Sequence, residues 1–180
     1  RGVEGGRGAG VCRWPWSDVI GRTSGGGAGV MGADGAASEN VPLAVRRGAT
    51  GARLEEVLPA SWAYGNPIDI IGDAPGQRHL DALAALSAEH GSAVLFIHAL
   101  TAIVSSTEIA HSLLPAVSAA PRRVLGCWLG DSAVAQARQI FHDAGVPDHN
   151  TPGEAVRAFS FLRTYRLNQE ALLQTPSAHS

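Results

Sequence analysis

The chain contains no lysine, so all 14 of its basic side chains are arginines. That excludes a phosphate-binding P-loop lysine, a Schiff-base lysine and a lysine general base. Cysteine is scarce. Cys12 and Cys127 lack metal-ligand spacing and are too few for a disulfide framework. No apolar run reaches the ~18 residues that a membrane span needs, so no membrane partner is expected. Against 16 acidic residues the arginines leave a net charge of -2, which offers no basic footprint for nucleic acid. No two of the seven histidines stand at metal-ligand spacing, so no metal site is expected.

What remains is a globular balance. The 180 residues are 45% hydrophobic and 17% charged, which fits one domain with a tail. Residues 1–35 hold 12 of the 22 glycines. The division expected is a flexible Gly/Arg-rich tail over 1–17, a domain over 18–176 and a disordered end over 177–180. Within the tail, Trp14-Pro15-Trp16 either pins its end to a surface or is an exposed remnant. The chain opens on Arg1, which reads as a fragment or processed product, and the stretch before Ser17 makes a poor signal peptide.

From Asp18 onward a strand–helix rhythm is expected. Val19–Arg22 reads as a weak strand, followed by a glycine cluster and an Ala-rich helix from about Val30 to Glu39. Pro42–Val45 reads as a second short strand. Thr50–Leu58 reads as a short helix with Thr50 able to cap it, and a long loop runs from Trp62 to Ala74. Helix 77–89 turns Leu80, Leu83, Ala84 and Leu86 to a core. Ala93–Ala99 and Val124–Leu129 are apolar runs of strand length, as expected for strands covered on both faces. Helices 106–119 and 132–144 follow them, the second capped by Asp131 or Ser132 and ended by Gly145. A short edge strand is expected near 146–149. Thr151-Pro152-Gly153-Glu154 is a capping box for a last helix running to about Leu173. This alternation predicts an α/β fold: a three-layer, flavodoxin-like parallel sheet with helices on both faces. Ligands of such sheets bind at the carboxyl ends of the strands.

Two loops at that end carry the chemistry. In Thr23-Ser24-Gly25-Gly26-Gly27-Ala28-Gly29, glycines let backbone N–H groups face a dense anion, and a helix N-terminus adds partial positive charge. A flexible tight turn is the plainer reading, and both stand. In Gly65-Asn66-Pro67-Ile68-Asp69-Ile70-Ile71-Gly72-Asp73-Ala74, Asn66-Pro67 favours an extended backbone. Asp69 and Asp73 either brace that loop or face a metal or phosphoryl group.

Other polar residues have plain readings. His98, ending a buried strand, is a proton carrier, a phosphoryl acceptor or, more simply, a core histidine bonded to a carbonyl. His111 and His142 are expected in solvent, and His149 in a loop beside Asp148. Gly130-Asp131-Ser132 matches the GDS block of some serine esterases. It comes late in the chain, and Asp148-His149 lacks the Asp-x-x-His spacing, so helix capping is the stronger reading.

Assembled, these motifs resemble the NDP-forming acyl-CoA synthetase superfamily over about residues 19–176. The blocks are Thr23–Val30, Gly65–Asp69, Cys127-Trp128-Leu129-Gly130, and Ala144–Pro147 through Thr151–Phe159. The closing Tyr165-Arg166-Leu167-Asn168-Gln169-Glu170 is similar to the form of this domain fused to a GNAT domain in bacterial protein acetyltransferases. The family usually reads Thr-Asn-Gly-Gly-Gly-Pro-Gly where this chain has Ser24 and Ala28, and a proline is usual near Leu100. The resemblance implies a flavodoxin-like CoA-ligase domain whose helix N-terminus helps hold a phosphohistidine. That element maps to Gly25, Gly26, Gly27, Gly29 and Val30, with Asn66, Pro67 and Asp69 as loop support.

On this reading the parent protein makes acyl-CoA from an acid, CoA and ATP through an acyl phosphate. Its cofactors are CoA, ATP and Mg2+, none of them bound by this domain alone. The partners implied are a sister domain carrying the phosphohistidine, a Rossmann CoA-binding domain and an ATP-grasp domain, in the cytoplasm. The histidine blocks Ser-His-Thr-Gly and Gly-His-Ala-Gly are not in this chain, so it holds no catalytic residue of its own and should not turn over alone. The alternative is a non-catalytic regulatory or docking domain of a GNAT acetyltransferase. A receiver-like domain would need acidic residues at the first strand end, where Thr23 and Ser24 stand.

Overall fold

A computed structural model of the chain describes residues 16–45, 48–87, 91–120 and 123–173. Its frame is a five-stranded sheet in the order β2-β1-β3-β4-β5, with all neighbouring strands parallel. The strands are β1 (Asp18–Thr23), β2 (Ile68–Asp69), β3 (Ser92–Ala99), β4 (Val124–Leu129) and β5 (Asp148–His149). The helices are α1 (Gly26–Ser38), α2 (Gly48–Val57), α3 (Gly76–Leu86), α4 (Ser106–Ala119), α5 (Ala135–Asp143) and α6 (Pro152–Leu173). This is the flavodoxin-like doubly wound arrangement expected from the sequence.

Alternation along the central strands builds two cores. Ile20, Val94, Phe96, Val124 and Trp128 face one side and meet Leu54, Leu83, Leu86, Ile109, Leu113, Val117 and Phe141 of α2 to α5. Val19, Ala93, Leu95, Ile97, Leu125 and Cys127 face the other and meet α1 and α6 through Ala28, Ala36, Ala155, Val156 and Phe159. Apolar residues on both faces are what parallel strands under crossover helices require.

Small residues let α1 lie close to the sheet. A Cβ on Gly32 would stand 2.8 Å from Ile97 Cδ1, and one on Gly29 would stand 3.0 Å from Thr23 Cγ2. The glycine-rich run is therefore helical from Gly26 onward, four residues before the expected start at Val30. Tertiary packing overrides the weak helix propensity of glycine here.

Several expectations shift. The expected strand at 42–45 reduces to one bridge between Val19 and Leu43, with Ala44 N–H donating to Val19 O at 2.9 Å. Helix α2 begins at Gly48, so Thr50 is a buried residue of its first turn and not its cap. Asp131–Val134 is a 3₁₀ turn with no side-chain cap hydrogen bond, so neither Asp131 nor Ser132 caps α5 in the way expected. Gly145 does end α5: its φ is 74°, its N–H donates to His142 O, and Val146 N–H donates to Phe141 O. That pair of bonds is a Schellman motif.

Helix α6 opens with one bond of the expected capping box, and the return bond from Glu154 goes one residue further back, to Asn150. Glu154 N–H donates to Thr151 Oγ1 at 3.2 Å, and Asn150 N–H donates to Glu154 Oε2 at 3.0 Å. Trp16 and Ser17, expected in the tail, are held to the domain. Ser17 N–H donates to Gly91 O at 2.9 Å, and the Arg123 guanidinium lies 5.3 Å from the Trp16 ring centroid. The rest of the expected tail, 1–15, and the expected end, 177–180, lie outside the described residues.

Candidate functional site

The carboxyl ends of β1, β2 and β3 bring three segments together. A Cβ on Gly25 would lie 3.9 Å from Ala99 Cβ, and one on Gly72 would lie 3.5 Å from Ser24 O and 3.7 Å from Thr101 Cγ2. The β1–α1 turn thus sits between the loop after β2 and the loop after β3.

Gly25 is the N-cap of α1, in extended backbone, and no side chain caps the helix. Gly26 and Gly27 are exposed. The first turn of a helix leaves its N–H groups without intrahelical acceptors, so Gly26, Gly27 and Ala28 present amides at the sheet edge. Gly29 does not. Its N–H donates to Gly25 O at 3.2 Å, and it packs on Thr23. Val30 lies one step further up the same helical ladder. Both were expected at the anion site. The structure gives Gly29 a packing role and leaves Val30 with an exposed side chain.

The support residues do separate jobs. Asn66 spans the outer edge of β1: its Oδ1 accepts Gly21 N–H at 2.8 Å, and its Nδ2 donates to Val19 O at 3.2 Å and Ala44 O at 3.0 Å. It thereby fills a gap in the ladder between the Leu43 bridge and β2. Pro67, joined to Asn66 by a cis peptide, wedges against Gly21, where a Cβ would come within 2.7 Å of the ring. Asp69 braces its own loop, its Oδ1 accepting Ile71 N–H at 2.9 Å. Its other oxygen lies beside the first turn of α1, 3.4 Å from where a Gly26 Cβ would be. A carboxylate there favours the helix dipole and competes with any incoming anion. Ile71 holds a φ of 71°, rare for a β-branched residue. Asp73 faces away in an exposed ion pair with Arg78 at 2.8 Å.

Directly beneath the turn lies a cluster that the sequence did not reveal. Arg22, Ser24, His79, His98 and Ser106 are all buried. His98 Nδ1 meets Ser24 Oγ at 3.1 Å, and its Nε2 meets Ser106 Oγ at 3.0 Å. Its partners are hydroxyls, where a carbonyl was expected. Burial, and secondarily the Arg22 charge, hold the His98 pKa down to about 4, so the ring is neutral at pH 7. It is closed off from solvent and cannot reach a ligand as a proton carrier or phosphoryl acceptor. Ser24 thus turns its hydroxyl into the core, away from the exposed amides. One clue was available: an arginine in the strand reading Val19–Arg22 has to be buried. His79 had no comparable signal.

The β4–β5 side is separate. An open groove of about 480 Å³ runs past Asp131, Ser132, Arg138, His142 and Asp148. Burial raises the Asp148 pKa against the opposing effect of Arg138, and burial lowers that of His149. Cys127 is pushed up to about 12, chiefly by burial, and is inert as a nucleophile. Among the described residues no group of three or more His, Cys, Asp or Glu could hold a metal ion. No helix among them is long and apolar enough to cross a membrane.

Sheet order, glycine turn and edge loops define a flavodoxin-like α/β domain whose topological switch point lies between β1 and β3. No family model matches the chain. Over 143 residues it is 34% identical to acetate–CoA ligase [ADP-forming] I of Archaeoglobus fulgidus, covering 79% of this chain and 20% of that protein. Over 156 residues it is 28% identical to the acetate–CoA ligase [ADP-forming] I subunit alpha of Pyrococcus furiosus, covering 81% of this chain and 32% of that subunit. Dinucleotide-forming acetyl-coenzyme A synthetase 1 of Ca. Korarchaeum cryptofilum, in complex with phosphate and ADP, superposes with a TM-score of 0.76 at 24% identity, over 89% of this chain and 36% of that one. A Pyrococcus horikoshii OT3 protein gives a TM-score of 0.77 at 24% identity, over 84% and 36%. The chain belongs to the NDP-forming acyl-CoA synthetase superfamily. It spans a fifth to a third of the length of the curated relatives it matches.

Proposed function

We propose that this domain serves an ADP-forming acid–CoA ligase by cradling a phosphoryl group carried on a histidine of a sister domain. The observation that carries this is the uncapped first turn of α1, where Gly25 is followed by exposed Gly26 and Gly27 at the carboxyl edge of the sheet. Oriented amides stabilise a phosphoryl dianion without a lysine and need no reorganisation when the charge arrives. The cradle consists of the N–H groups of Gly26, Gly27 and Ala28, placed by Gly25. Asn66 and Pro67 fix the strand beneath. The step relies on these amides alone, not on Mg2+, CoA or ATP, which other domains of the parent hold. The domain alone does not turn over.

Calorimetric titration of phosphate or sulfate tests it. The isolated domain should bind at about millimolar affinity, near 4 kcal/mol, and Asp69→Asn should tighten binding several-fold by removing the competing carboxylate. Gly27→Val should abolish it while the fold stands, because a Cβ at Gly27 meets nothing within 4 Å. Binding that survives Gly27→Val refutes the cradle.

A second reading makes the domain a docking module of a GNAT acetyltransferase. The outer half of α6 favours it, since Phe161, Tyr165, Leu172 and Leu173 are exposed there, as a covered surface would be before its partner arrives. Reading the neighbouring coding sequence separates the two: a histidine block with an ATP-grasp domain supports the ligase, and a GNAT domain without them supports docking.

A further inference from the structure

Among the described residues two arginines are buried, and they are treated differently. Arg123 donates from Nε to Ser92 O at 3.1 Å, from Nη1 to Ser87 O at 2.6 Å and from Nη2 to Leu86 O at 2.9 Å. Arg22, on the central strand β1, is 0% exposed. Its Nη2 bonds His79 Nδ1, and its guanidinium lies 4.8 Å from the Phe96 ring centroid. Its Nε and Nη1 have no partner, and among the described residues no carboxylate pairs with it.

The protonation logic fixes the sign of what is missing. A guanidinium can only donate, so His79 Nδ1 must accept and its proton sits on Nε2. His79 Nε2 is also buried without a partner. Burial first, then Arg22, lower the His79 pKa, so the ring stays neutral, and Arg22, brought down to about 9 by burial, stays charged at pH 7. The unmet groups of Arg22 and His79 are therefore all donors, in a site carrying one positive charge. His98 cannot supply an acceptor, because both its nitrogens are engaged by Ser24 and Ser106. A water molecule could accept hydrogen bonds there, but it could not offset the charge. An uncompensated buried charge is strongly disfavoured.

We propose that Arg22 and His79 form an internal anion site that takes one small monoanion of halide size. Phe96 lies against the guanidinium, Ile68 is the β2 register partner of Arg22, and both are fully buried, so the enclosure favours a small, singly charged ligand. The site is distinct from the surface turn of α1 and does not depend on the ligase reading.

The test is thermal unfolding of the domain at constant ionic strength, with chloride or bromide replacing a bulky anion such as gluconate. The melting temperature should rise with halide, by about 3–5 °C per tenfold increase above the dissociation constant. Arg22→Met should lose that dependence. A halide-independent melting temperature, or an equal rise in Arg22→Met, overturns the proposal. Should Arg22→Met fail to fold, anomalous scattering from a bromide-soaked crystal of the wild-type chain decides. A bromide peak within hydrogen-bond reach of Arg22 and His79 supports the site, and no peak there refutes it.

Discussion

Two regions with unmet N–H donors sit a few residues apart on β1 and α1, and they carry those donors in opposite ways. The turn at Gly25–Ala28 offers neutral amides at the sheet edge, with Gly26 and Gly27 exposed and Ala28 buried. Its donors keep water until a ligand comes, so the folded domain carries no desolvation penalty there. The Arg22–His79 pair places a full charge in the core, where interactions are stronger and an unmet group is costly. An exposed amide turn can release what it holds, as the proposed phosphoryl cradle requires. A buried charged pair is suited to permanent occupancy. Ser24 lies between them, its backbone leading into the turn and its hydroxyl bonded to His98, whose ring stands 6.0 Å from that of His79.

Substitutions should reveal this contrast as a gradient, steepest in the core. Phe96→Ala removes the ring beneath the Arg22 guanidinium and a buried part of the core. It should cost about 3–5 kcal/mol in chemical denaturation. Acid should act next. His98 is held at about 4 in the folded chain, against about 6.5 unfolded. The unfolded chain therefore binds the extra proton as pH falls from 6.5 toward 4, and stability is lost over that window. The His98 share of the loss should approach roughly 2–3 kcal/mol; His98→Gln should remove that share and leave the fall that His79, held lower still by burial, adds over the same window.

Asn66→Ala leaves Gly21 N–H and the carbonyls of Val19 and Ala44 without that amide. A drop of about 1–3 kcal/mol is expected by denaturant titration, with the amide turn weakened only indirectly. The smallest effect belongs to the turn itself. Gly27→Ala meets open space and should leave stability within about 1 kcal/mol, on the stabilising side, while lowering phosphate affinity.

What was legible in the sequence follows the same divide. Runs with a clear period were readable: Val124–Leu129 and helix 106–119 carry the boundaries found in the structure, because continuous apolar strands and 3.6-residue stripes are set by burial. Strand β2, two residues long, is too short for any pattern and was hidden inside a loop. The early start of α1 was hidden because glycine argues against helix locally, and only the close approach of Gly29 and Gly32 to the sheet explains it. The exposed turn could be read from its glycines, but not which amides were free. That depended on Gly29 N–H being taken by Gly25 O. The Arg22–His79 pairing joins residues 57 positions apart, with no local spacing to announce it.

The most direct measurement is the amide spectrum of the domain, recorded residue by residue, as phosphate is added. If the first turn of α1 is the cradle, the Gly26, Gly27 and Ala28 amides shift together toward saturation at one dissociation constant, while Gly29 moves less and buried amides near Phe96 stay still. Stationary glycine amides, or small shifts spread evenly over the surface, would contradict it.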